Sequence, residues 1–184
     1  MKTTNPEYLS TLFQAVVLPS TPVELPKSRQ VADVLTLLRS ERRWHGPTPA
    51  SFNSVPNKPV LDFNDQPTWA EFILLRTLEG DGWKGAWIKN WGGREFWRNP
   101  LETAELPSLA KAIFQNLESQ TAHGGGCWDI LVQREEEVLF IESKQRGNDR
   151  ISSTQATWLE NALQHSVPLS SFLIVEWSRD KGLK

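Results

Sequence analysis

The sequence predicts an α/β fold, a central mixed β-sheet flanked by helices. Three observations predict it. From residue 68 onward, patterns of helical and strand period alternate as helix, strand, strand, helix, strand, strand, helix, strand, the order that layers helices on a sheet. Val138-Leu-Phe-Ile141 is an unbroken apolar run, as expected of an interior strand buried on both faces. A polar turn at residues 134–136 separates that run from a second strand pattern over 128–133, so the two read as a hairpin.

Residues 1–60 read as a helical N-terminal extension with a Pro-rich linker. The apolar stretch from Tyr8 to Leu18 predicts a short helix, and Pro19, Pro22 and Pro26 then predict an extended connector. Over residues 29–43 the apolar residues Val31, Val34, Leu35 and Leu38 recur at helical spacing, and the pattern ends in Arg39, Arg42 and Arg43. That basic trio suits a solvated helix end favoured by the dipole, or a contact with phosphate. Pro47, Pro49, Pro56 and Pro59 follow, and a boundary near residue 60 separates this extension from a second unit over 61–184.

In the second unit Thr68 is placed to N-cap a helix, with Glu71 three residues later completing a capping box. Phe72, Ile73, Leu75 and Leu78 carry that helix to about Glu79, where Gly80 and Gly82 stop it. Residues 86–91 read as a strand with 94–98 as its hairpin partner across Gly92-Gly93. Residues 108–119 read as a helix after Pro107, residues 154–164 as another, and 172–177 as a final apolar strand.

Composition bounds function only loosely. A formal net charge of -2 neither signals nor excludes nucleic acid, since enzymes can confine positive charge to one groove. No apolar run approaches the roughly 18 residues of a membrane span, no secretory signal is visible, and the single cysteine, Cys127, excludes an internal disulfide framework. Reducing, cytoplasmic conditions are the expectation. Nine tryptophans against one tyrosine are expected mainly in the core, with base stacking as the functional option.

Several motifs fail on context. Gly80, Gly82 and Gly85 spell G-x-G-x-x-G, but they follow a helix and precede a strand, the reverse of a dinucleotide-binding turn. His123-Gly-Gly-Gly has no G-x-S-x-G partner. His123 and Cys127 lack a second ligand pair for zinc, and a buried, inert thiol is the plainer account of Cys127.

The informative segment is Gly125-Gly-Cys-Trp-Asp129 and the strand ending Ile141-Glu142-Ser-Lys144. Glu142 and Lys144, two apart on a strand, share a face. The hairpin brings the start of its first strand beside the end of its second, so Asp129 is expected next to them. Crowded carboxylates repel, and a divalent ion with a taste for oxygen ligands, magnesium or manganese, resolves the conflict.

These residues resemble the PD-(D/E)XK phosphodiesterase superfamily, whose signature is D-(x)12-E-x-K on a strand hairpin. The continuation Arg146-Gly-Asn-Asp-Arg150-Ile-Ser-Ser-Thr-Gln155-Ala-Thr-Trp158 is similar to its VRR-NUC branch, in which a polar loop leads into a helix bearing Q-x-x-W. The resemblance covers about residues 66–178. It implies a restriction-endonuclease-like core that hydrolyses phosphodiester bonds with Mg²⁺ or Mn²⁺, in DNA before RNA. It further implies Asp129, Glu142 and Ser143 as metal ligands, Lys144 beside the attacking water or the phosphate, and Gln155 supporting the site from its helix. Glu71 occupies the place of an acidic residue that family members often add from the first core helix, though it could simply cap that helix. Gln155 could likewise be only a first-turn residue. Lys144, Arg146 and Arg150 are the candidates for contact with nucleic acid, or are solvent-exposed charges. Trp128 stands where the family usually has proline. Two other classes remain open: a catalytically silent binding module on the same fold, and a tryptophan-rich interaction protein.

Overall fold

A computed structural model describes residues 5–55, 58–89, 95–120, 126–147 and 149–179. The described elements are α1 (Pro6–Leu12), β1 (Val16–Glu24), β2 (Val31–Arg43), β3 (Leu61–Asp62), β4 (Pro67–Thr68), α2 (Ala70–Gly80), β5 (Lys84–Lys89), β6 (Glu95–Asn99), β7 (Glu102–Thr103), α3 (Ser108–Ser119), β8 (Ile130–Arg134), β9 (Glu137–Gln145), α4 (Ser153–Gln164) and β10 (Phe172–Arg179). The strands make one mixed sheet in the order β4-β3-β2-β10-β9-β8-β5-β6-β7, with β1 paired to β2. β2, β10 and β9 run parallel, and every other pairing is antiparallel.

The hairpin predicted from the two strand patterns is β8–β9, in register from Arg134↔Glu137 to Ile130↔Ile141. Glu135 in its two-residue turn takes a positive φ of 52°, as tight hairpins require. β9 is buried on both faces. Val138 and Phe140 belong to a core shared with Ala110 and Phe114 of α3 and Trp158 and Leu159 of α4. Leu139 and Ile141 belong to a second core with Leu9 of α1 and Phe72, Leu74, Leu75 and Leu78 of α2. The sheet therefore lies between α1/α2 and α3/α4.

The N-terminal third departs from expectation. Residues 31–43 form a strand rather than a helix, and β2 lies against β10 inside the sheet. The spacing of Val31, Val34, Leu35 and Leu38 fits a helix, but Ala32, Val34 and Thr36 also alternate, and those three are buried on one face. β-Branched residues and a long parallel partnership favour that alternative period. The apolar stretch at 8–18 divides between α1 and β1, broken at Gln14 with φ 49°. Pro19 and Pro22 sit within β1, which among the described residues pairs only with β2, and an edge strand tolerates the missing N–H groups. Residues 16–43 are thus part of the sheet, not an appendage to it.

Thr68 does not cap α2. Trp69 holds the N-cap position with no side-chain bond, and the buried Thr68 hydroxyl has no hydrogen-bond partner. The strand over 84–89 and its partner over 95–99 form as a hairpin, while Trp91, Gly92-Gly93 and Arg94 fall outside the described residues. Trp69, Trp83, Trp87, Trp128, Trp158 and Trp177 are buried, which makes core packing, not base stacking, their main use. Among the described residues no helix is long and apolar enough to cross a membrane.

Candidate metal centre

The site forms where β8 begins and β9 ends. One residue beyond the last backbone pair, Ile130↔Ile141, Asp129 stands opposite Glu142. The Asp129 N–H donates to Glu142 Oε2 at 3.2 Å, and the Ser143 N–H donates to Asp129 Oδ2 at 3.0 Å. Side-chain oxygens thus continue the ladder after the two backbones part.

Glu142 projects toward α4, where Gln155 Nε2 donates to its Oε1 at 2.6 Å. Lys144, two residues on and on the same face, places Nζ 2.8 Å from that oxygen and 3.4 Å from Gln155 Oε1. Gln155 also completes a capping box: its Oε1 accepts from the Ser152 N–H at 2.9 Å, and its own N–H donates to Ser152 Oγ at 3.2 Å. One side chain therefore serves as helix cap and as site support, and the two accounts of Gln155 coexist.

Trp128, buried beside Asp129, packs edge-on against Phe172 at 4.9 Å and directs its indole N–H to the Gln155 carbonyl at 3.4 Å. It braces the first turn of α4 over the site, a contact that proline could not make. Gly126 lies against the same turn with φ 90°, and a Cβ there would fall 2.4 Å from the Thr154 carbonyl oxygen. Only glycine allows this approach.

Glu71 reaches the site from α2, on the other face of the sheet. It is 7 % exposed, its Oε1 pairs with Lys58 Nζ at 2.8 Å, and its Oε2 is buried with no hydrogen-bond partner. The Ser143 hydroxyl, also 7 % exposed, is similarly orphaned. Both residues line a cavity of about 130 Å³ together with Lys58 and Asp149. Buried polar atoms without partners cost stability, so these two oxygens call for a ligand.

The electrostatics follow from burial. Burial, then the charge of Glu142 and of Glu71, hold the Asp129 carboxyl well above its ordinary range; Lys58 and the Ser143 N–H offset this in part. Burial also raises Glu142, against the pull of Lys144 and of hydrogen bonding with Asp129. For Lys144, burial alone would lower the ammonium, but Glu142, Asp129 and Asp149 together hold it above its usual value. The arrangement is one of acids crowded together and short of positive charge.

The expected residues converge unequally. Asp129, Glu142, Lys144 and Gln155 share one hydrogen-bonded cluster. Glu71 is within electrostatic reach of Asp129 but is drawn to Lys58. Among the described residues, no three of the His, Cys, Asp and Glu side chains close as a ready metal-ligand set. Arg146 turns to Glu176 at 3.7 Å. Arg150 is exposed and shares with Lys144 a cavity of about 390 Å³ beside α4. Cys127 is a buried, unbridged thiol, and His123 falls outside the described residues. Sequence patterns gave no sign of Lys58, because no periodicity links a residue of a proline-bounded connector to Glu71. Compared with protein families, curated proteins and solved structures, the chain has no significant match.

Proposed function

We propose that the protein is a divalent-metal-dependent nuclease with a restriction-endonuclease-like core, hydrolysing phosphodiester bonds in DNA before RNA. The observation that carries this reading is the meeting of Asp129, Glu142 and Lys144 at one end of the β8–β9 hairpin. Two buried acids with raised proton affinity beside a lysine are an unfavourable arrangement for a purely structural hairpin, and a favourable one for metal-assisted phosphoryl chemistry.

The donor set fits a hard cation. The unpartnered Glu71 Oε2 and Ser143 Oγ and the crowded Asp129 are all oxygen donors, the type that magnesium and manganese prefer. Asp129, Glu142, Glu71 and Ser143 are the residues that would hold the ion. When bound, it supplies Lewis acidity toward the phosphodiester. Lys144 presents an ammonium toward the phosphate and stabilises the negative charge that develops there. Gln155 fixes Glu142, so its carboxylate cannot rotate out of the site. Arg150, exposed beside Lys144, is placed to meet a neighbouring phosphate.

A silent binding module is the second reading. It is favoured by the full engagement of Glu142, whose Oε1 meets Lys144 and Gln155 and whose Oε2 accepts from Asp129. Incubation of the purified protein with plasmid and single-stranded DNA in Mn²⁺ or Mg²⁺ separates the two. A nuclease cuts, is silenced by EDTA, and is silenced again by Lys144→Ala. Cleavage by Lys144→Ala equal to the wild type would assign the activity elsewhere.

A further inference from the structure

Lys58 pairs with the carboxylate that carries one of the two unsatisfied oxygens. Its Nζ sits 2.8 Å from Glu71 Oε1, with 18 % of its side chain exposed. It shares the 130 Å³ cavity with Glu71 and Ser143, and its charge is felt at Asp129. Two indole faces lie beside it, Trp87 at 4.8 Å and Trp69 at 5.5 Å from ring centre to Nζ.

We propose that Lys58 is a built-in counter-ion that occupies Glu71 when the metal is absent and must leave it for a divalent ion to bind. The inference rests on the metal-dependent reading above and names a control on that same site. An ammonium hydrogen-bonded to a carboxylate and a divalent ion bound to the same carboxylate would repel strongly at such short range. The lysine also satisfies only one Glu71 oxygen and leaves Oε2 and the Ser143 hydroxyl bare, so it compensates the acidic cluster without filling the space around it. The ammonium already lies over Trp69 and Trp87 while paired with Glu71, and those indole faces still hold it when the carboxylate is given up, since cations rest well on indole faces. A lysine suits this exchange better than an arginine, being a compact charge on a flexible stem with no bidentate grip on the carboxylate.

The test is calorimetric titration of the whole protein with Mn²⁺, without nucleic acid, on wild type, Lys58→Met and Lys58→Arg, each with a melt in EDTA. Methionine keeps the apolar stem against the indoles and removes the charge. Lys58→Met is expected to bind Mn²⁺ at least about tenfold more tightly than wild type, the least effect expected when an adjacent like charge is removed. It is also expected to melt lower in EDTA, having lost the counter-ion. Lys58→Arg is expected to bind Mn²⁺ more weakly than wild type while melting normally, and so keeps the test valid if Lys58→Met folds poorly. Binding by Lys58→Met where wild type shows none would support the proposal most directly. Equal or weaker binding by Lys58→Met, with wild type binding, overturns the role of Lys58 and leaves the metal centre standing. No Mn²⁺ binding by any of the three overturns both.

Discussion

Asp129 and Glu142 face each other across the end of a hairpin, with the Asp129 N–H on Glu142 Oε2 at 3.2 Å. A carboxylate held by its neighbour's backbone cannot drift away from that neighbour's own carboxylate, so the repulsion between them is fixed by the fold. Asp129→Asn keeps the side chain's shape and removes one charge. Its melting temperature in EDTA is expected to equal or exceed that of wild type. Mn²⁺ at ten times Kd should stabilise the wild type by about 1.4 kcal/mol, a rise of roughly 3–6 °C for a chain of this size. That rise and the cleavage activity should vanish together in Asp129→Asn. Identical metal responses in the two melts would remove Asp129 from the ligand set.

Lys144 places its ammonium on Glu142 Oε1 at 2.8 Å. Lys144→Ala is expected to fold with an unchanged circular dichroism spectrum and to lose about 10²–10³-fold in cleavage rate, as for the loss of one preorganised donor to a developing anion. Single-turnover rates at saturating Mn²⁺ measure it, and a loss confined to KM would instead assign Lys144 to substrate binding.

Gln155 has two duties that substitution can separate. Gln155→Glu retains a side chain suited to the capping box but turns an acceptor toward Glu142 Oε1, where the amide now donates at 2.6 Å. It should keep the helix, lower stability without metal, and weaken Mn²⁺ affinity about 10–100-fold, the usual scale for a residue supporting a ligand. Gln155→Ala should lose both duties. Mn²⁺ affinity unchanged in Gln155→Glu would reduce Gln155 to a cap.

Away from the site, Glu160 on α4 pins the turn between β1 and β2. The N–H groups of Lys27 and Ser28 donate to its two oxygens at 2.8 and 2.7 Å. Burial pushes this carboxyl up, but those hydrogen bonds and the charge of Lys27 outweigh it and hold Glu160 below its ordinary value. A depressed folded-state value stabilises the protein above the unfolded-state value, about 4.3, and that stability is lost as pH falls through the folded value. Glu160→Gln should therefore cost about 1–3 kcal/mol at neutral pH, and the gap to wild type should narrow in melts below about pH 4. A gap independent of pH would deny the ionised carboxylate this role.

β2 supplies a test of the sheet itself. Leu37 is wholly buried against the α1/α2 face, so Leu37→Ala should cost about 2–5 kcal/mol in denaturant melts, and removal of residues 1–60 should leave an insoluble chain with the flank of β10 bare. A stable, folded fragment over 61–184 would show that β2 is dispensable.

How much of this was legible in the amino-acid order depended on the range of the cause. The β8–β9 hairpin, α3, α4 and β10 follow from local signals: apolar runs, a polar turn, helical spacing and a proline before a helix. The pairing of Asp129 with Glu142 and Lys144 was legible too, because antiparallel register converts spacing along a hairpin directly into proximity. Residues 31–43 were not, since their apolar spacing satisfies both a helical and a strand period, and pairing on both sides, with β1 and with the parallel β10 more than 130 residues away in the chain, selects the strand. Nor was the capping of α2, where Thr68 was drawn into β4 against Leu61. The sequence by itself determined that two acids and a lysine share one end of a hairpin. Only the tertiary structure decided that Lys58 stands on Glu71 and leaves Oε2 bare, because ion pairs between distant segments are set by the packing of connectors against the sheet, and packing leaves no period to read.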